Sequence, residues 1–362
     1  DRPEPGHIID EAHERALREE AVGDPGGFHG RIAASELHWY ADGQWLTRRA
    51  GAGAWGGWDA KTGASVELDP EDSPWQPWVR AFDDSQAPFY RWFTGGLTNA
   101  CFNEVDRHVL AGRGERLAFV FEGDRWDPSK GGGRGGPVYS EDVSFRKLFE
   151  ETVVRAEVLS RLGLKKGDRI AFNLPNILEQ IYYTEAAKRL GIIYTPVFGG
   201  FSAKTLSDRI WDAGAKVVVT ADGGYRNAEV VPYKESFTDQ ALDNYVPRVI
   251  ALGALDATLA GFDLGRVGER LRDGVHQALR GEITVERSDV MRELGRGLES
   301  EAALSLERKA EIRTAVAREL ADTQHAVETV VVIKYTGQDI VEQPRDRWSH
   351  DLVSQARDAL GM

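Results

Sequence analysis

The sequence predicts an α/β protein, a parallel-type sheet with covering helices, and three observations within residues 143–227 predict it. Apolar runs with strand character at 169–174, 191–198 and 216–220 alternate with segments of helical period, the order that builds parallel strands joined by helices. The helical segments stop at Gly163, Gly191 and Gly214, and glycine adopts the left-handed closing conformation without steric cost. The loops that leave the three strands, LPN, FGG and ADGG, should then open on one carboxyl edge, where open parallel sheets bind ligands.

Taken in order, the chain starts with a charged segment, DRPEPGHIIDEAHERALREE, that has no apolar signal-like core. Residues 1–85 are acidic and rich in Trp and Gly. Within them HWYADGQWLTR reads as two short strands about an Asp42-Gly43 turn. A tryptophan platform for sugars or bases would need polar partners, and none accompanies these rings, so they are expected to pack an irregular N-terminal extension. Asp106, Arg107 and His108 are adjacent, yet consecutive residues point in different directions, which favours a structural polar network over a metal or catalytic cluster. The KGGGRGGP run at 130–137 is followed by PVYSEDV rather than by a helix start with Lys and Ser or Thr, so it reads as a flexible loop and not as a phosphate cradle.

The first helix of the α/β region carries Phe145, Leu148, Phe149, Val153, Ala156, Leu159 and Leu162 on one face. A second runs from about Ile177 to Gly191, and a third starts with Ser202 as N-cap and carries Leu206, Ile210 and Trp211. From about 253 to 324 the pattern is charged and helical, with stripes such as Leu264, Val267, Leu271, Val275 and Leu279, and it reads as a helical insertion. A buried-type strand in HAVETVVVIKY should rejoin the sheet, and the last segment is helical with Ser349 as its cap.

The chain of 362 residues, 41% of them hydrophobic, is large enough to bury a substantial core. Its net charge of −13 argues against a general nucleic-acid surface, and no apolar run reaches the roughly eighteen residues that cross a bilayer. The single cysteine, Cys101, fits a reducing, cytoplasmic setting. A nicotinamide oxidoreductase is disfavoured, because no GxGxxG follows a strand and no acidic ribose-binding residue stands at the right distance.

APFYRWFTGGLTNACFNEVDRHV, LGLKKGDRIAFNLPN, RLGIIYTPVFGGFSAKTLSDRI, VVTADGGYRN and VVVIKYTGQDI, in this order, resemble the N-terminal half of AMP-forming short-chain acyl-CoA synthetases, the acetyl- and propionyl-CoA synthetase group. The Trp-rich extension and the insertion also look like the ligase portion of propionyl-CoA synthase, a multidomain fusion that activates 3-hydroxypropionate. The resemblance implies the N-terminal part of the acyl-adenylate-forming fold, laid out as an extension (1–85), a first α/β part (86–252), an insertion (253–324) and a return (325–362). It implies ATP with Mg2+ and CoA as co-substrates, a short-chain carboxylic acid as substrate, and the remainder of the ligase with fused downstream domains as partners. No nucleic-acid or membrane partner, protein-held metal or tightly bound cofactor is implied.

Carried over residue by residue, Phe198 would face the adenine of CoA, Gly199 and Gly200 would let the backbone come close, and Arg226 would pair with a CoA phosphate. Relatives place a second arginine where this chain has Glu229. The alternative for Arg226 is a surface pairing with Asp222 or Glu229. The family's phosphate loop and catalytic lysine would come after Met362, so no catalytic residue is expected within the chain and the isolated fragment is expected to be inactive. The competing functional class is a non-catalytic scaffold that binds CoA or a partner domain.

Overall fold

The computed structural model describes residues 10–49, 54–68, 76–242, 298, 305–312, 314, 327, 329–336 and 346–362. The proposed insertion at 253–324 lies almost wholly outside the described residues, as does the end of the KYTGQDI run. Two compact units are formed, Asp1–Phe119 with Val143–Glu150, and Val120–Asp142 with Glu151–Met362.

In the first unit, α1 (Glu11–Gly23) and α2 (Pro25–Glu36) are capped by Asp10 and Asp24, whose carboxylates accept from the His13 and Gly27 amides. An antiparallel sheet follows, β1 (Trp39–Ala41), β2 (Gln44–Arg48), β3 (Trp55–Asp59) and β4 (Ser65–Leu68), in that spatial order. Asp42 and Gly43 both take positive φ, 47° and 80°, so the turn between β1 and β2 twists in the sense that a tight hairpin requires. The expected irregular extension is therefore replaced by a regular sheet. Trp39, Trp55 and Trp78 are buried with Ala33, Ala34 and Leu46, and these wide rings fill a core that short strands could not close with aliphatic side chains. A second hairpin pairs β5 (Arg80–Asp83) with β6 (Arg91–Thr94).

The Asp106 to His108 run is structural. Cys101 Sγ approaches Asp106, the Arg107 guanidinium donates to the Glu36 carbonyl, and His108 stacks on Phe145 at 4.2 Å. Beyond it come β7 (Leu117–Glu122), β8 (Trp126–Asp127), the single turn α3 (Lys130–Gly133), β9 (Gly136–Pro137) and β10 (Ser140–Ser144). The glycine run is not a free loop: β8 pairs with β9, and Lys130 Nζ donates to the Pro137 and Val138 carbonyls.

The second unit holds the parallel sheet. Helix α4 (Phe145–Arg161) leads to β11 (Arg169–Asn173), α5 (Leu178–Leu190), β12 (Ile193–Pro196), α6 (Ala203–Ala213) and β13 (Val217–Ala221). A small hairpin, β14 (Gly224–Arg226) with β15 (Glu229–Val231), follows. The sheet is completed by β16 (Thr329–Ile333) and β17 (Asp346–Trp348), before α7 (Ser349–Leu360). The order is β12-β11-β13-β16-β17, and every neighbouring pair is parallel.

Both faces are covered. Ile170, Phe172, Val217, Val219 and Val331 pack with Val158, Tyr183 and Ala356 from α4, α5 and α7. Ala171, Val218, Val330 and Val332 meet Leu206 and Ile210 of α6 on the other face. Burial on two faces explains why these strands read as unbroken apolar runs rather than alternating ones.

The C-terminal helix differs from expectation in one respect. Ser349 is not its cap: residues 346–348 form the edge strand, Trp348 takes the cap position, and the buried Ser349 hydroxyl meets Tyr183 Oη at 2.8 Å. The packing partner, 166 residues away, claimed the hydroxyl that local sequence offered to the helix end.

Candidate functional site at the carboxyl edge of the sheet

Two strand-to-helix loops and one hairpin converge at the carboxyl edge of the parallel sheet. Backbone register brings them there: Phe172 of β11 stands opposite Pro196 of β12 and Val219 of β13, and the Val197 amide donates to the Phe172 carbonyl at 2.8 Å. The segments that follow, Leu174-Pro175-Asn176, Phe198-Gly199-Gly200 and Tyr225-Arg226, therefore exit side by side. Together with Glu122, Asp124, Tyr233 and Tyr335 they line a cavity of about 480 Å³, a size suited to part of a nucleotide or a small organic ligand.

Phe198 is 66% exposed at the rim, with Phe201 edge-on at 5.9 Å. The turn is closed by the Phe201 amide donating to the Phe198 carbonyl at 2.9 Å. Gly199 lies under Tyr233: a Cβ there would come within 2.1 Å of the phenolic oxygen. Glycine is thus required by close approach and not by unusual dihedrals. The α6 helix starts immediately after this turn, with Ser202 Oγ accepting from the Thr205 amide as anticipated.

Arg226 ends β14 and lines the same cavity as Phe198, Gly199 and Gly200. Neither alternative partner takes it in an ion pair among the described residues. Asp222 is fully buried and accepts from the Gly223, Tyr335 and Thr336 amides and from the Thr336 hydroxyl. Glu229 sits opposite Arg226 in the hairpin register, but no salt bridge joins them. The four residues singled out from sequence are thus brought together, with an exposed guanidinium beside an aromatic rim.

The cavity also contains groups that sequence reasoning missed. Tyr233 and Tyr335 have their phenol pKa values raised, first by burial, with the Arg226 charge opposing the shift at Tyr233 and Glu179 adding to it at Tyr335. Both stay neutral at physiological pH and can donate hydrogen bonds. Tyr225 stacks edge-on with Tyr335 at 6.0 Å. It adjoins Arg226 in GGYRN and was legible as a neighbour, whereas Glu122, Asp124 and Tyr233 enter only through the fold. Among the described residues, no group of three or more His, Cys, Asp or Glu is placed to hold a metal ion, and no helix is long and apolar enough to cross a membrane.

The family described as AMP-binding enzyme matches residues 108–262, and the acetyl-coenzyme A synthetase N-terminus matches residues 73–103. The chain is similar to AMP-forming short-chain acyl-CoA synthetases. It is 39% identical to the acetyl-coenzyme A synthetase of Methylobacillus flagellatus over 183 residues, 50% of this chain and 26% of that protein. The corresponding enzyme of Thiobacillus denitrificans is 40% identical over 200 residues, 55% of this chain and 27% of the relative. That of Paraburkholderia phymatum is 31% identical over 276 residues, 76% of this chain and 33% of the relative. The chain's matches thus span about a quarter to a third of these synthetases. Phe198, Gly199, Gly200 and Arg226 all fall within the residues matched to the AMP-binding enzymes.

Proposed function

We propose that this chain supplies the CoA-nucleotide side of an ATP-dependent, AMP-forming acid-thiol ligase that makes a short-chain acyl-CoA. The observation that carries the reading is the convergence of Phe198, Gly199, Gly200 and Arg226 on one cavity at the carboxyl edge, inside the synthetase-like region. In the reaction, a carboxylate oxygen attacks the α-phosphate of ATP, which enters with Mg2+, and pyrophosphate leaves. The CoA thiol, losing its proton, then attacks the acyl carbonyl, and AMP departs. The role of the present residues belongs to the second step. Phe198 offers its face to the adenine, the Gly199-Gly200 backbone permits close approach, and Arg226 forms a charge-assisted pair with a phosphate. On this reading residues 1–85 are an N-terminal extension and 253–324 an insertion, as in the ligase portion of propionyl-CoA synthase, and 3-hydroxypropionate is the acid.

Calorimetric titration of the chain with CoA tests the site. Arg226→Ala is expected to weaken CoA by roughly 1.5–3 kcal/mol, the usual loss for a hydrogen bond to a charged group, or about ten- to a hundredfold. Binding unchanged by this substitution would remove Arg226 from the site. In the complete ligase, the same substitution should raise the Michaelis constant for CoA while leaving acid-dependent pyrophosphate exchange into ATP nearly unchanged. That exchange also identifies the acid, with 3-hydroxypropionate expected to support it better than propionate or acetate. A preference for acetate would reject the proposed substrate without touching the CoA site.

A further inference from the structure

The cavity has an electrostatic problem as a seat for a multiply charged anion. Its lining carries two carboxylates, Glu122 and Asp124, against the single cation Arg226, and Glu229 faces Arg226 across the hairpin. A nucleotide with several phosphates would meet a site whose own charge is unfavourable unless another cation joins it.

We infer that Arg125 is that cation, a second phosphate-binding residue that acts with Arg226 on the adenosine bisphosphate end of the ligand; this rests on the CoA reading of the site. The Arg125 guanidinium lies over the face of Tyr225, 5.4 Å from the ring centroid, and Tyr225 lines the cavity beside Arg226. Arg125 is exposed and forms no ion pair among the described residues. A guanidinium held over an aromatic face keeps N–H groups with which to donate to phosphate oxygens.

The backbone that presents it is anchored on both sides. Asp124 Oδ2 accepts from the Ala228 amide at 2.8 Å, tying this segment to the β14-β15 turn, and the Arg125 carbonyl accepts from the Val138 amide at 2.7 Å. Asn227 and Ala228 both take positive φ, 53° and 64°, a tight-turn geometry that positions the Ala228 amide for Asp124. The hairpin bearing Arg226 and the segment bearing Arg125 are therefore fastened together. Asp124 thereby acts as a positioning residue, while its charge still counts with Glu122 against a bound anion.

Calorimetric titration of the full 362-residue chain with adenosine 3′,5′-bisphosphate, and with adenosine 5′-monophosphate as a probe lacking one phosphate, tests this. Arg125→Ala is expected to weaken the bisphosphate about tenfold while leaving the monophosphate within about a factor of two, so that discrimination between them collapses. Adding Glu229→Arg to Arg125→Ala should restore the preference for the bisphosphate. Two results overturn the inference while sparing the CoA site: Arg226→Ala weakens the bisphosphate and Arg125→Ala does not, or Arg125→Ala weakens both nucleotides equally, as lost support of Tyr225 would. Absence of bisphosphate binding by the unaltered chain would reject the CoA reading itself, and the role of Arg125 with it.

Discussion

His38 shows how a single buried side chain carries a pH dependence. Its ring stacks on Trp58 at 4.9 Å and meets the edge of Phe102 at 5.7 Å. Burial, reinforced by the Arg107, His108 and Arg113 charges and opposed by a hydrogen bond with Asn103, brings its pKa down to about 4. The folded state therefore keeps His38 neutral where the unfolded chain, with an ordinary value near 6.5, already binds a proton. Stability from this group is fully present above pH 6.5 and is lost progressively as pH falls toward 4, by up to ~1.4 kcal/mol per pH unit. Urea unfolding followed by tryptophan fluorescence should show that decline, and His38→Gln should flatten part of it. An unaltered slope in the variant would mean that other groups set the acid sensitivity. His108, also lowered to about 4 by burial and nearby arginines, accounts for a residual slope.

At the scale of an element, the turn between β12 and α6 is built around the contact of Gly199 with Tyr233. Tyr233 is only 8% exposed, and its ring packs on Phe237 at 5.5 Å, so it cannot swing away freely. Gly199→Ala is accordingly expected to destabilise the chain by about 1–3 kcal/mol through overpacking and to weaken nucleotide binding. In a Tyr233→Ala background the same substitution should cost much less, a non-additivity expected of residues in contact. Additive losses in the double variant would show that the turn, and not the tyrosine, dislikes the methyl group. Sequence showed that FGG ends a strand before a helix capped by Ser202. It did not show why the first glycine is needed, because Tyr233 lies more than thirty residues further on.

At the scale of the whole molecule, the five-stranded parallel sheet is assembled from distant segments. β13 pairs with β16, and β17 completes the edge. The edge is locked by Lys234, 1% exposed in its side chain, whose ammonium contacts Asp239 at 3.0 Å and Asp346 at 2.9 Å. Such a buried pairing is costly to break, because removing one partner strands the other charge away from water. Hydrogen exchange should find the slowest amides in β13 and β16, which are central and buried, with β12 and β17 opening more readily at the edges. Faster exchange in β13 than in β12 would contradict the strand order.

What the amino-acid sequence determined by itself is local and periodic. The apolar runs at 169–174 and 216–220, the Ser202 cap, the stops at Gly191 and Gly214, and the turn at Asp42-Gly43 each depend on residues a few positions apart. They were legible because backbone conformation responds first to neighbouring side chains. Phe198 and Arg226 were singled out by resemblance to the acyl-CoA synthetases, while the alternation of strands and helices indicated only that their loops leave the same edge. Tertiary structure alone decided the rest: Ser349 bonds Tyr183 instead of capping its helix, Asp222 binds backbone amides instead of Arg226, and Asp124 holds the Ala228 turn that sets Arg125 over Tyr225. Each of these polar groups has several partners available in the chain, and only the packing of remote segments selects one by excluding water and fixing distance.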